Sequence, residues 1–155
     1  MNDPEWRAIE AIKSLKSRYF RFLDTKNYDG LDAIFMDDAV IDVRGSTTAS
    51  DGGDPTVAGL DDEVMTGRQF KQFFRTGIGH LVTAHHGHMP EITLETADTA
   101  RAIWAFEDHI WFPQGSPFHK MHGWGHYHDH YVRTDIGWQV SVMKITRIRT
   151  ETLPW

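Results

Sequence analysis

The sequence predicts a single α+β domain in which N-terminal helices pack into the hollow of a curved, mainly antiparallel sheet. Two observations predict this class. Helical periodicity is confined to the first half of the chain, whereas the second half consists of β-rich runs separated by turn residues. The chain has 155 residues, the ordinary length of one domain, so residues 1–155 are assigned to one folding unit.

The first half contains the predicted helices. Apolar residues recur at three-to-four spacing from Trp6 to Leu23, which predicts an amphipathic helix whose charged residues, Lys16 among them, face water. Asp29 is expected to cap a short second helix. The further elements predicted here are a helix over 29–35, a strand over 39–43 and a third helix over 67–76.

A long segment between these elements has no sustained period. Residues 45–66 are rich in glycine and small polar residues, which predicts a surface excursion that could serve as a lid over a pocket. Beyond the third helix, turn signals separate β-rich runs. These runs cover residues 81–88, 91–95, 100–112, 121–133 and 138–149.

Composition excludes several classes of protein. The net charge of −6, without any basic run, argues against nucleic acid as a partner. The absence of cysteine excludes disulfides, zinc-thiolate sites and a thiol nucleophile. No apolar stretch approaches the roughly 18 residues of a membrane span, and the N-terminus lacks the pattern of a signal peptide. We expect a soluble, cytoplasmic protein.

The first chemical candidates are a carboxylate and a run of histidines. Asp24 follows the apolar stripe of the first helix, so it and Tyr19 can point toward one cavity, although an aspartate there can also simply end the helix. On the strand that holds His85 and His86, period two sends the two rings to opposite faces. One of them should face inward, where a carboxylate could hold it as a general base.

The later strands supply further candidates. Trp104, Phe106 and Asp108 share one face of their strand, which predicts aromatic surface for a substrate and one buried carboxylate that needs a partner. Either Arg147 or Arg149 could pair with Asp108 or bind an oxygen of a ligand.

A His-x-His-x-His run, His126 to His130, offers both polarity and possible metal ligands. Neighbouring same-face side chains on a strand stand about 7 Å apart, which is wide for shared coordination. Pocket polarity and hydrogen bonding within the strand explain the run equally well. We therefore expect His126 and His128 to contact substrate and no metal to be bound.

Three segments carry a resemblance to a known family: LKSRYFRFLD at 15–24, GHYH at 125–128 and TRIR at 146–149. In these segments and in the order of its elements, the chain resembles the SnoaL-like branch of the nuclear transport factor 2 superfamily, and within it the scytalone dehydratase and bile acid 7α-dehydratase type. The resemblance implies the cystatin-like α+β cone, in which a curved mixed sheet wraps around helices and leaves a deep pocket.

The resemblance also implies roles for individual residues. In its dehydratase and dehydrochlorinase members a histidine on the strand after the third helix acts as base and an aspartate after the first helix orients it. His85 and Asp24 match those positions. Tyr19, Asp108 and Arg147 are implied as further pocket residues, with Arg149 as a competitor for the last place.

The resulting hypothesis is a cofactor-independent, dehydratase-type lyase acting on a hydrophobic cyclic or polycyclic alcohol or ketone. Two alternatives stay open: isomerisation or polyketide-type cyclisation in the same pocket, and a non-catalytic ligand-binding module in which Asp24 and His85 do not meet. Apolar residues expected on the outside of the sheet, such as Ile103 and Trp111, predict a homodimer or homotrimer.

Overall fold

The computed structural model describes residues 4–44, 46 and 64–155, and within these ranges helices come first and long strands follow. The elements are α1 (Pro4–Asp24), a 3-10 helix (Tyr28–Ala33), β1 (Phe35–Asp42), β2 (Val64–Thr66), α2 (Gly67–Thr76), β3 (Val82–Leu94), β4 (Thr99–Trp111), β5 (Lys120–Thr134) and β6 (Gly137–Leu153).

The six strands form one sheet in the order β2-β1-β6-β5-β4-β3. β1 runs parallel to β6, and every other neighbouring pair is antiparallel. The predicted mixed, mainly antiparallel sheet is therefore confirmed. Three successive hairpin connections place β3 to β6 side by side, so that residues distant in sequence lie in one row across the sheet.

Helix α1 packs against β3, and α2 packs against β1. The apolar stripe of α1 is buried as predicted, at Ile12, Leu15, Tyr19 and Leu23. Lys16 corrects the prediction that the charged residues of this helix face water, because it is only 3% exposed. Its ammonium group is held by a carboxylate from β5, which makes burial tolerable.

Two local predictions are wrong at their boundaries. The segment predicted as a helix over 29–35 is a 3-10 turn that ends at Ala33, and Asn27, not Asp29, caps it by accepting a hydrogen bond from the Gly30 N–H. Phe35 instead begins β1, which runs to Asp42 and so starts four residues before the predicted strand.

The predicted lid over 45–66 falls mostly outside the described residues, except at its end, where Val64–Thr66 form β2 and the prediction of a loop is wrong. The helix predicted over 67–76 is α2, and Thr66 and Gln69 form a capping box at its start.

The two runs predicted at 81–88 and 91–95 are one strand, β3, with an irregularity between Gly87 and Pro90. An edge strand tolerates this proline because it has no neighbouring strand on one side that would require a backbone N–H donor.

The sheet has two unlike faces. Alternate residues of β4 and β5 are buried against the helices, including Trp104, Phe106 and Tyr127, and we call this the inner face. The residues between them point away from the helices, and we call that side the outer face. Within the described residues, no helix is long and apolar enough to cross a bilayer.

Candidate active site

Asp24 and His85 meet at the end of α1. Asp24 is the last residue of the helix, and its Oδ1 lies 2.7 Å from the His85 Nδ1. The backbone N–H of His85 donates to the other carboxylate oxygen at 2.9 Å. The Thr83 hydroxyl donates to Oδ1, also at 2.9 Å. Three contacts from β3 thus hold one carboxylate, so the helix end and the strand are locked together at this point.

The electrostatics of the pair favour an ionised aspartate. Burial alone would raise the pKa of Asp24, but the hydrogen bonds from the ring and backbone of His85 and from Thr83 outweigh it and lower that pKa. An ionised carboxylate can only accept, so Nδ1 of His85 carries the hydrogen and Nε2 is the basic nitrogen. No described residue bonds to Nε2.

The orientation of the imidazole is also fixed by packing. The Phe20 ring stacks on the His85 ring with an interplanar angle of 6° and a centroid separation of 5.8 Å. Gly87 makes room for that phenyl ring, because a Cβ there would lie 2.6 Å from it. The histidine is therefore held by a carboxylate on one side and by an aromatic ring on another.

His85 borders a mainly apolar cavity of about 80 Å³ between the helices and the inner face. The polar residues on its wall are Tyr19, Ser46, Thr83, His85, Asp108, Tyr127 and Arg147. Burial, followed by the neighbouring Tyr127 and two aspartates, raises the pKa of Tyr19 well above its usual value. Its hydroxyl therefore stays protonated and can donate a hydrogen bond. The apolar wall consists of Leu23, Val43, Phe70, Phe74, Ile78, Leu81, Ile110, Phe112, Met121 and Ile145.

Asp108 and Arg147 form a buried, two-pronged ion pair beside the histidine. The Arg147 Nη1 and Nη2 donate to the two Asp108 oxygens at 2.9 and 2.7 Å. Asp108 lies directly opposite His85 in the β3–β4 pairing. Arg147 comes from β6 and passes over β5 at Gly123, where a Cβ would stand 2.6 Å from Nη1. Only glycine at this position lets the arginine reach the aspartate.

A strand irregularity decides between the two candidate arginines. On β5, successive residues Trp124 and Gly125 pair with Arg149 and Arg147, so β6 contains one extra residue, Ile148. Such a bulge turns the following side chain to the other face. Arg147 consequently points inward, whereas Arg149 pairs with Glu151 on the exposed side.

Four residues predicted to contact substrate lie elsewhere. His126 and His128 are on the outer face, opposite in direction to Tyr127, and His128 bonds to Thr146 there. Trp104 is on the inner face, but its indole N–H donates to Tyr131 beneath α1. Phe106 packs under the Arg147 guanidinium and against Tyr127. None of the four is among the described residues that line this cavity, although Trp104 borders a second depression together with Asp24 and His85. Their role as substrate contacts stays a prediction.

Sequence reasoning missed Thr83, Gly123 and Tyr127. Glycine inside an otherwise regular strand signals close approach of another group. The GWG run at 123–125 therefore indicated that a side chain crosses β5 there. Strand alternation also places Tyr127 opposite in direction to His126 and His128. Thr83 has no comparable signal, because its role depends on where the end of α1 meets β3.

Comparisons with known proteins agree with this architecture. Residues 4–144 match the family described as the SnoaL-like domain. A probable cyclase of Gibberella zeae is 26% identical over 149 residues, which cover 94% of this chain and 93% of that protein.

Three solved structures show the same fold. A Kribbella flavida protein superposes with a TM-score of 0.78 at 22% identity, covering 95% of each chain. A hexachlorocyclohexane dehydrochlorinase from Novosphingobium barchaimii has a TM-score of 0.75 at 18% identity, covering 97% of this chain and 92% of that chain. A nuclear transport factor 2-like protein of Salmonella enterica also superposes, with a TM-score of 0.71 at 12% identity, and covers 94% of each chain. The predicted α+β cone is thus confirmed by the shared fold, and the chain belongs to the SnoaL-like domain family.

Proposed function

We propose that this protein is a cofactor-independent lyase that removes a proton from a hydrophobic cyclic alcohol or ketone, with His85 as the base. The observation that carries the proposal is the 2.7 Å contact between Asp24 and His85 at the edge of a mainly apolar cavity. A fixed imidazole whose Nε2 has no hydrogen-bond partner among the described residues has the geometry of a general base.

The reaction we propose is an elimination. The His85 Nε2 takes a proton from a carbon beside a carbonyl group, and the electrons of that C–H bond form a C=C bond as a hydroxyl group leaves. The imidazolium returns the proton to the leaving hydroxyl, so that water is released. Asp24 stabilises the imidazolium throughout, as a carboxylate does in a catalytic triad.

Tyr19 and Arg147 are proposed to bind the substrate oxygens. The protonated Tyr19 hydroxyl can donate to a carbonyl oxygen on which negative charge develops. The Arg147 guanidinium, held in place by Asp108, presents positive charge to the same cavity. The walls around these groups are apolar, which favours a hydrocarbon ring as the body of the substrate.

The cavity volume narrows the choice of probes. An apolar cavity of about 150 Å³ accommodates benzene. The present cavity, as lined by the described residues, is smaller, about 80 Å³. We therefore rank single-ring hydroxyketones ahead of polycyclic compounds in a screen.

Cyclisation is the second candidate, favoured by the name of the Gibberella zeae relative. An intramolecular aldol reaction uses the same first step, but the carbanion attacks a second carbonyl instead of expelling a leaving group. The mass of the product separates the two reactions, because dehydration loses the mass of water and ring closure alone loses nothing.

The test is proton exchange in D₂O. A panel of β-hydroxy cyclic ketones is incubated with the protein, and deuterium uptake at the carbon and loss of water are followed by NMR and mass spectrometry. His85→Gln should slow exchange by about 10² to 10⁴-fold, the usual contribution of a positioned base.

The matched control is His86→Gln, since His86 is the next residue on β3 but points to the outer face. Its exchange rate should equal that of the wild type. Equal rates in wild type and His85→Gln would refute the proposed base. Binding of ring compounds without any exchange would identify the chain as a ligand-binding module instead.

A further inference from the structure

The outer face of the sheet carries an unusual concentration of histidine. Alternation along three adjacent strands places histidines from β3, β4 and β5 on this side, away from the cavity. They are His86, His88, His109, His122, His126, His128 and His130. The elimination proposed above uses none of them, so their clustering calls for a separate explanation.

Three side chains in this group converge with one another. Glu107 and His109 are two residues apart on β4, and His122 lies directly opposite His109 on β5. The His122 Nε2 is 2.8 Å from a Glu107 oxygen, and the His109 and His122 rings stack with centroids 3.9 Å apart. One donor atom from each of the three residues lies within 4.8 Å of the other two.

Two further observations indicate that the cluster has nitrogen atoms available to coordinate a metal. The His109 Nδ1 is buried and has no hydrogen-bond partner among the described residues. The His88 Nε2 lies 3.9 Å from the second Glu107 oxygen. A buried nitrogen without a partner is costly, and a metal ion would satisfy it.

We propose that Glu107, His109 and His122 bind a divalent transition metal of the zinc type on the outer face. Two imidazoles and one carboxylate are donors that zinc takes at about 2.0–2.2 Å, which sets tetrahedral ligand atoms roughly 3.5 Å apart. The observed donor atoms lie within 4.8 Å of one another, so on binding the stacked imidazole rings would turn to bring their nitrogens onto one ion. Water or His88 would complete the coordination.

The cluster is a better site than the more obvious run at His126 to His130. The His126 and His128 rings are 6.3 Å apart along one strand, and His128 already bonds to Thr146. In the proposed site, His109 and His122 lie directly opposite each other on neighbouring strands, where Cβ atoms are about 4.5–5.5 Å apart, and Glu107 reaches His122 diagonally. It also includes a carboxylate on the same face as its histidines, whereas Asp129, the carboxylate within the run, is buried on the inner face and pairs with Lys16.

The experiment is titration of tag-free, metal-stripped protein with Zn²⁺ by calorimetry and with Co²⁺ by visible absorption. We expect one equivalent of either metal and a Co²⁺ absorption band typical of low coordination number. Changes beyond the ligand shell already cost about 10 to 100-fold in affinity, so His122→Ala or Glu107→Gln should weaken binding at least about 10-fold.

The matched control is His130→Asn, which removes an exposed histidine from the same strand and face. It should bind metal like the wild type. Absence of saturable binding in the wild type would overturn the proposal, as would unchanged affinity in both cluster variants. Circular dichroism should show an unchanged fold in all variants, and Glu107→Gln preserves side-chain shape if His122→Ala does not fold.

Discussion

At the scale of single residues, Asp24 determines the state of His85. Its carboxylate accepts from the ring Nδ1, from the His85 backbone and from Thr83, so it orients the base and selects its tautomer. Gly123 has a comparable influence on the other side of the cavity, because it clears the path of Arg147 to Asp108. The Asp24 carboxylate and the lack of a side chain at Gly123 thus position the polar groups of the site.

The lowered pKa of Asp24 predicts how its contribution to stability depends on pH. A carboxyl group whose pKa is lower in the folded than in the unfolded state stabilises the fold above its ordinary pKa of 3.8 and loses that contribution as pH falls through the lower, folded value. Wild type should therefore exceed Asp24→Asn in free energy of unfolding near pH 6, and the difference should vanish in acid below pH 3.8.

Urea denaturation of both proteins across this pH range measures the difference directly. Asp37→Asn serves as a comparison, because its carboxylate pairs with Arg68 and Lys71 at the surface, away from the cavity. A gap between wild type and Asp24→Asn that stayed constant with pH would contradict the assignment of an ionised, hydrogen-bonded Asp24.

At the scale of elements, a buried ion pair fastens α1 to the sheet. The Lys16 Nζ lies 2.7 Å from Oδ2 of Asp129 on β5, with both side chains almost fully buried. Tyr131 donates to the same oxygen, and Trp104 donates to Tyr131. The ammonium group also sits 3.5 Å from the centroid of the Tyr127 ring. Burial lowers the pKa of Lys16 to about 8, although Asp129 opposes the shift.

Replacing one member of this ion pair should lower the free energy of unfolding more than replacing both members together. Lys16→Met leaves Asp129 charged and uncompensated among apolar groups, for which the expected loss is about 3–5 kcal/mol. The double variant Lys16→Met/Asp129→Asn removes both charges and should recover much of that loss. Chemical denaturation of the wild type, both single variants and the double variant completes the thermodynamic cycle.

An additive cycle would contradict this interpretation, because it would mean that the two side chains do not interact. The same double-variant cycle on the exposed pair of Lys13 and Glu10 in the same helix measures the coupling energy of a weak surface ion pair for comparison. Changes at that pair should alter stability by no more than about 1 kcal/mol.

At the scale of the whole molecule, the two faces of the sheet serve different purposes. The inner face, together with the helices, encloses the cavity, whereas the outer face exposes apolar side chains between its histidines. Ile103 is 39% exposed there, and Val82 lies near the edge of the same face. Exposed apolar surface on a sheet favours association with another subunit.

We predict that the protein forms a homo-oligomer through this face. Ile103→Lys should shift the mass measured by light scattering or sedimentation toward the monomer, because a charge would have to be buried in the interface. Ile136→Lys is the control, since Ile136 is exposed in the turn between β5 and β6. A wild-type protein that stays monomeric at all concentrations would refute the prediction.

The fold was largely predictable because its signals are local. The apolar period of α1, the Thr66 to Gln69 cap of α2 and the turns between the later strands all lie within a few neighbouring residues. The boundaries that were wrong, such as the start of β1 at Phe35, depend on partners far along the chain. Phe35 pairs with Val140 of β6, and no local pattern records that pairing.

The site shows the same division between local and distant information. The sequence by itself determined the α+β class, the absence of cysteine chemistry and the face alternation that turns His85 away from His86. Only the tertiary structure decided that Arg147 and not Arg149 reaches Asp108, since an extra residue in β6 reverses the direction of the side chain. It also decided that Lys16 is buried, because that contact joins α1 to the distant strand β5. The meeting of His109 with His122 depends on the register of the β4–β5 hairpin, which local patterns leave open.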